Sequence, residues 1–151
     1  MAMQKITMGT VLAIVVMGTV VSALVAGLFV ASQSIYNTGN VKAVGVGVYR
    51  DSGCTDAVSS INWGDLEPNE TKDVVIYVKN EGSLAMTLGM TTDNWDPESA
   101  SSFMTLSWNR EDYMLDTGST VQAVLTLSVS SDISGITNFN FNITITGTEH
   151  V

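Results

Sequence analysis

The sequence has little of what catalysis and metal binding require. It holds one histidine and one cysteine. His150 stands beside the end of the chain, where a frayed terminus cannot fix a general base. Cys54 has no second cysteine to pair with in the chain and no histidine near it, so an unpaired, partly buried thiol is expected. No Ser-His-Asp or Cys-His set can be assembled, and no Cys or His spacing fits a metal site. Basic residues are scarce too: six Lys and Arg face fifteen Asp and Glu, a formal net charge of −9. All fifteen acidic residues lie beyond residue 50. The basic residues outside the N-terminal region are Lys42, Arg50, Lys72, Lys79 and Arg110, too dispersed to grip phosphates or anionic lipid, and no nucleic-acid partner is expected. An acidic, self-repelling, soluble surface is the plain reading of this balance.

Charge is missing altogether between Ile6 and Ser34. At about 1.5 Å per residue, a helix over that stretch would cross roughly 30 Å of hydrocarbon. A signal-peptide apolar centre is usually only about 7–15 residues long, yet Val30-Ala31-Ser32 before Gln33 offers a small-x-small cleavage site. Two readings are therefore open: residues 1–34 are a retained transmembrane or filament-core helix, or a signal peptide that is removed. Either reading exports the rest of the chain to the cell surface or beyond. If the helix is kept, Gly9, Gly18, Ser22, Ala26 and Gly27 let neighbouring helices approach closely, and it gives the chain a membrane contact.

After a linker over residues 35–40 the hydrophobic period becomes two. Residues 41–50 alternate, with Val44, Val46 and Val48 expected on one face. Further alternation places Ala57, Ile61 and Trp63 together, then Val74, Ile76 and Val78. Leu84, Met86, Leu88 and Met90 form a return strand, joined to the previous one by a hairpin at Asn80–Gly82. Met104, Leu106 and Trp108 follow. The alternation ends with Val121, Ala123, Leu125, Leu127 and Val129, and with Phe139, Phe141, Ile143 and Ile145. Residues 97–102 fit one helical turn, and Leu115 is a plug in a loop. About seven strands at this spacing predict one all-β domain over residues 41–151, an antiparallel sandwich with one wet face on each sheet.

The stretch "LEPNETKDVVIYVKNEG" resembles archaeal and bacterial surface modules of immunoglobulin-like fold, in which a Leu-x-Pro-Gly turn precedes a Val-rich strand ending in Asn-x-Gly. Leu66, Pro68, Asn80 and Gly82 match. Asn69 stands where glycine is usual, and asparagine also accepts left-handed geometry. An apolar N-terminal segment running into one small β-domain is similar to archaeal surface-filament subunits. These include pilins and archaellins, which keep the helix as the filament core, and TasA-like bundling pilins, which are cleaved and donate a strand. "QKITMG" departs from the pilin cleavage pattern of a basic residue and a small one before the apolar run. The resemblance implies an immunoglobulin-like sandwich and copies of the same chain as partners.

The remaining candidates for chemistry lie in loops and strand faces. Asp93, Asn94, Asp96 and Glu98 could supply some of the oxygens that calcium takes, although their spacing is not that of the usual calcium loop. Calcium is the one cofactor in view. Glu111, Asp112 and Asp116 offer less. Glycosidase chemistry needs a carboxylate pair across a deep cleft, which a domain of this size has little room to form. Trp63 and Trp108 fall on inward positions and read as core. Trp95 falls in a polar segment and reads as a ligand contact, for example with sugar. Asn69-Glu70-Thr71 and Asn142-Ile143-Thr144 are glycosylation sequons. "AVGVGV" around Val44, Val46 and Val48 reads as an open pairing edge, able to add a strand to another copy. The expectation is an exported, non-catalytic structural subunit that self-assembles into a surface filament or is anchored in the membrane. The alternative is a stand-alone surface module that binds carbohydrate or calcium.

Overall fold

The computed structural model describes residues 37–151. The expectations for the apolar segment, including Gly9, Gly18, Ser22, Ala26 and Gly27 and its cleavage or retention, lie outside these residues. Among the described residues no helix is long and apolar enough to cross a membrane. The fold is all-β. The strands are β1 (Thr38–Val44), β2 (Gly47–Tyr49), β3 (Ser60–Asn62), β4 (Thr71–Lys79), β5 (Met86–Asp96), β6 (Met104–Trp108), β7 (Met114–Leu115), β8 (Thr120–Val129) and β9 (Asn140–Glu149). A single 3-10 turn, Glu98–Ser102, lies between β5 and β6, where the sequence predicts one helical turn.

The strands form two sheets: five strands in the order β3-β1-β9-β5-β7, and four in the order β2-β4-β8-β6. Within them β1 runs parallel to β9, and every other pairing is antiparallel. Both sheets turn apolar sides into one core. Alternation along β8 buries Val121, Ala123, Leu125, Leu127 and Val129, and along β9 it buries Phe141, Ile143 and Ile145. Phe139, just before β9, is buried with them. Period-two patterning turns alternate side chains to one face, so these residues form the core side of each sheet. Trp63 is 2% exposed, as its inward position predicts. Trp108 is only half-buried, because its indole reaches out of the core to donate to Glu111 Oε2 at 2.6 Å.

Four expectations are corrected. The strand predicted over residues 41–50 is two strands in different sheets. Gly45, at φ 77°, turns the chain between them. The turn breaks the alternation, so Val44 is 43% exposed while Val46 and Val48 are buried. Secondly, β1 begins at Thr38, within the stretch read as a linker. Thirdly, Asn80–Gly82 does not close a hairpin: β4 pairs with β2 and β8, whereas β5 pairs with β7 and β9 in the other sheet. Finally, β5 runs on through the polar stretch to Asp96, with a register shift between Asp93 and Asp96, and Leu115 plugs the core from a short added strand, β7.

Asn80 explains why the predicted hairpin becomes a crossover. It is fully buried. Its Nδ2 donates to Leu84 O at 2.7 Å and to Leu115 O at 3.0 Å, while its Oδ1 accepts from Gly82 N at 2.9 Å. One amide thus satisfies three backbone groups in the passage between the sheets. The preceding turn follows its sequence closely. Glu70 N donates to Glu67 O at 3.1 Å, Pro68 occupies the second position, and Asn69 sits at φ 65°. These are the requirements of a type II turn.

Candidate functional site

Two features collect the residues singled out by the sequence: the polar face of the five-stranded sheet, and the point where the chain enters it. On the polar face, side chains from three neighbouring strands meet. Asn142 on β9 donates from Nδ2 to Asp93 Oδ1 on β5 at 3.0 Å. Asn40 on β1 donates to Asn142 Oδ1 at 3.4 Å. With Lys42, Asn94 and Thr144 they line an open hollow of about 330 Å³. Next to it, Asn94, Trp95, Glu98 and Ser101 line a second hollow of about 410 Å³. Asn94 is common to both and takes left-handed geometry, φ 50°, within the irregular end of β5.

The proposed calcium ligands are not gathered into one set. Asp93 faces the first hollow and Glu98 the second, and Asp93 already accepts from Asn142. Among the described residues no three His, Cys, Asp or Glu side chains come together as a metal site. The extended backbone of β5 spreads these residues along two hollows, whereas a calcium loop curls its ligands around one point.

Trp95 is half-buried, and one face of its ring stacks on the core residue Phe141, with centroids 4.0 Å apart and planes 5° from parallel. A stacked arrangement of this kind leaves at most the other face for a ligand. The two sequon asparagines differ. Asn69 is exposed at the tip of its turn. Asn142 is half-buried, and the amide nitrogen that would carry a glycan is engaged by Asp93. Cys54 is free and half-buried, at φ 56°, with Sγ 3.5 Å from Thr120 Oγ1. Glu111 is structural: besides the Trp108 indole it accepts from Met90 N at 3.3 Å, tying the loop after β6 to β5. His150 lies against Thr87 on the exposed surface, away from any carboxylate cluster.

The entry point was not legible in the sequence. Asn37 is 4% exposed. Its Nδ2 donates to Gly64 O at 2.8 Å, its Oδ1 accepts from Phe139 N at 3.2 Å, and its carbonyl accepts from Trp63 N at 2.8 Å. The chain is therefore fastened on arrival, three positions after the apolar segment ends. From there β1 lies parallel to β9 in unbroken register, from Thr38 opposite Asn140 to Val44 opposite Thr146. The expected open pairing edge is corrected here at Val46 and Val48, which fill the domain's own core. β9 pairs with β1 from Thr38 to Val44, and β3 pairs with its other side from Thr38 to Asn40.

Two titrating groups stand out on the surface. Hydrogen bonds from the Asp56 and Thr55 backbone and the Thr55 hydroxyl, the Asp56 N–H foremost, hold the Asp51 carboxyl below the usual carboxylate range. The Tyr49 hydroxyl donates to Glu81, and that bond first, then desolvation and the Glu81 charge, raises the phenol. Both groups brace loops around β2. Compared with known proteins, the chain matches no protein-family model and no curated sequence.

Proposed function

We propose that this chain is an exported, non-catalytic structural subunit that assembles with copies of itself into a filament at the cell surface, its two sheets forming an immunoglobulin-like sandwich. Support for the sandwich comes from the shared core, the crossover order of the strands and a first strand divided between the sheets. The observation that carries the structural role is the parallel β1–β9 ladder behind the Asn37 clamp. Tension entering at Asn37 and leaving at the C-terminus runs along both strands in opposite senses. It must therefore shear the whole ladder rather than peel it one bond at a time. That suits a domain fixed to something through its N-terminal segment. The uncharged run before it supplies either a membrane anchor or a filament-core helix, and removal of that run would leave a short arm for strand donation. The resemblance to archaeal surface-filament subunits points the same way.

Negative-stain electron microscopy of the full chain purified from its native source tests this proposal. Regular fibres or bundles are expected, and a chain that stays monomeric at high concentration contradicts it. The mass of the same material tells a retained N-terminal segment from a cleaved one. The polar hollow between Asn40, Asp93 and Asn142 favours one second reading, a carbohydrate-binding module, because planar amide and carboxylate groups match sugar hydroxyls. That reading requires glycan binding by the isolated chain and its loss in Asp93→Ala or Trp95→Ala.

A further inference from the structure

Each sheet ends in strands that either invite or refuse another chain. Three of the four terminal strands are short, and the parts of β1 and β5 that β3 and β7 leave uncovered carry Lys42, and Asp93 and Asp96, charges that oppose edge pairing. β3 has three residues and β7 has two. β2 has three, and its outer side is covered by the next segment, where Val58 N donates to Val48 O at 2.9 Å and Arg50 N to Asp56 O at 2.8 Å. β6 is different. It has five residues and pairs with β8 alone.

The pairing phase of β6 follows from its ends. Ser130 N donates to Phe103 O at 2.7 Å, and Asn109 N donates to Val124 O at 3.3 Å. Antiparallel hydrogen-bonded pairs alternate, so Thr105 and Ser107 direct their backbone groups to β8. Met104, Leu106 and Trp108 direct theirs outward, and those groups have no partner among the described residues. Two common edge protections are missing, since from Ser99 to Asn109 there is no charge and no proline.

We infer that β6 is a lateral contact between copies of this chain, made by antiparallel pairing of two β6 edges about a two-fold axis through Leu106. The strand matches its own reverse. With Leu106 opposite the second copy's Leu106, Met104 meets the second copy's Trp108 and Thr105 meets the second copy's Ser107. Each outward N–H and C=O then finds a partner. The chain carries a net charge of −9, and this stretch is an edge where two copies meet without like charges opposed. Five residues of edge bury less than a stable isolated dimer needs. The contact is weak alone and gains strength where copies are already held together. It thus rests on the self-assembly reading and names the surface that reading uses.

Disulfide trapping reads the register directly. Thr105 and Ser107 are exposed, so substituting them leaves the core intact. Full chains carrying Cys54→Ser with either Thr105→Cys or Ser107→Cys are oxidised in mild detergent, separately and mixed. The mixture is expected to give several-fold more covalent dimer than either variant alone. Equal yields in all three, or none, overturn the inference. Occupation of β6 by any other segment or protein gives that same negative result. Sedimentation of the wild-type full chain separates the two claims. Assemblies without a trapped pair remove the β6 contact and leave self-assembly standing, whereas a monomer removes both.

Discussion

Single residues decide where this chain turns from one sheet to the other. Gly45 sits at φ 77°, and a Cβ placed there would lie 2.8 Å from the Gly147 carbonyl oxygen, which is backbone and cannot step aside. Gly45→Ala should therefore cost at least the roughly 1–3 kcal/mol of a strained left-handed residue, read as a lower midpoint in chemical denaturation. Asn80→Ala should be worse. It leaves the Leu84 and Leu115 carbonyls and the Gly82 N–H without their partner, and each buried orphan costs about 1–3 kcal/mol. Asp51 gives a pH dependence. Its carboxyl titrates lower in the folded chain than in the unfolded one, so its stabilisation is complete above about pH 4 and fades as the pH falls through the folded value. Amide signals of residues 50–57 should lose dispersion in acid before those of β8 and β9, and Asp51→Asn should show the disordered loop already at neutral pH.

At the scale of elements, legibility in the sequence followed burial on one face. β8 and β9 alternate without a fault because one side of each is core and the other is wet. Their inward residues read directly from the pattern. Leu115 was legible for a simpler reason, as the lone aliphatic side chain of a polar loop. The missed features share a different cause. Alternation around Gly45 continues in the letters while the backbone reverses its face, because glycine carries no side chain to betray a left-handed turn. The Asn-Glu-Gly stretch uses residues that serve a hairpin and a crossover equally, and only the non-local bonds from Asn80 to Leu115 distinguish them. The polar end of β5 is held by pairing of Asp93 with Asn142 and Thr91 with Thr144, contacts too distant in sequence for local patterning to reveal. Of the candidate site, the residue types of the polar hollow were legible, but their partners, and the clamp at Asn37, were not. The β1–β9 ladder yields its own prediction. Pulled between Asn37 and the C-terminus, the domain should resist as one sheared unit. Asn37→Ala, which frees Gly64 O and Phe139 N, should lower the unfolding force measured in a single-molecule experiment.

At the scale of the molecule, residues 37–151 form an acidic β-domain whose entry is fastened and whose core is made by both sheets. Among the described residues, β6 is an edge strand that carries no charge. Acidity opposes association of separate copies in dilute solution, so the proposed assembly requires something that brings them together: a shared membrane, a helical core or a donated arm. In the proposed function the uncharged segment before residue 35 serves that task, and the β1–β9 ladder behind it carries the load. Immunogold electron microscopy of the native cell surface, with antibody raised against residues 37–151, tests this account most directly. Gold aligned at regular intervals along surface filaments is the predicted result. Label scattered singly over the envelope, or confined to the cell interior, would contradict it.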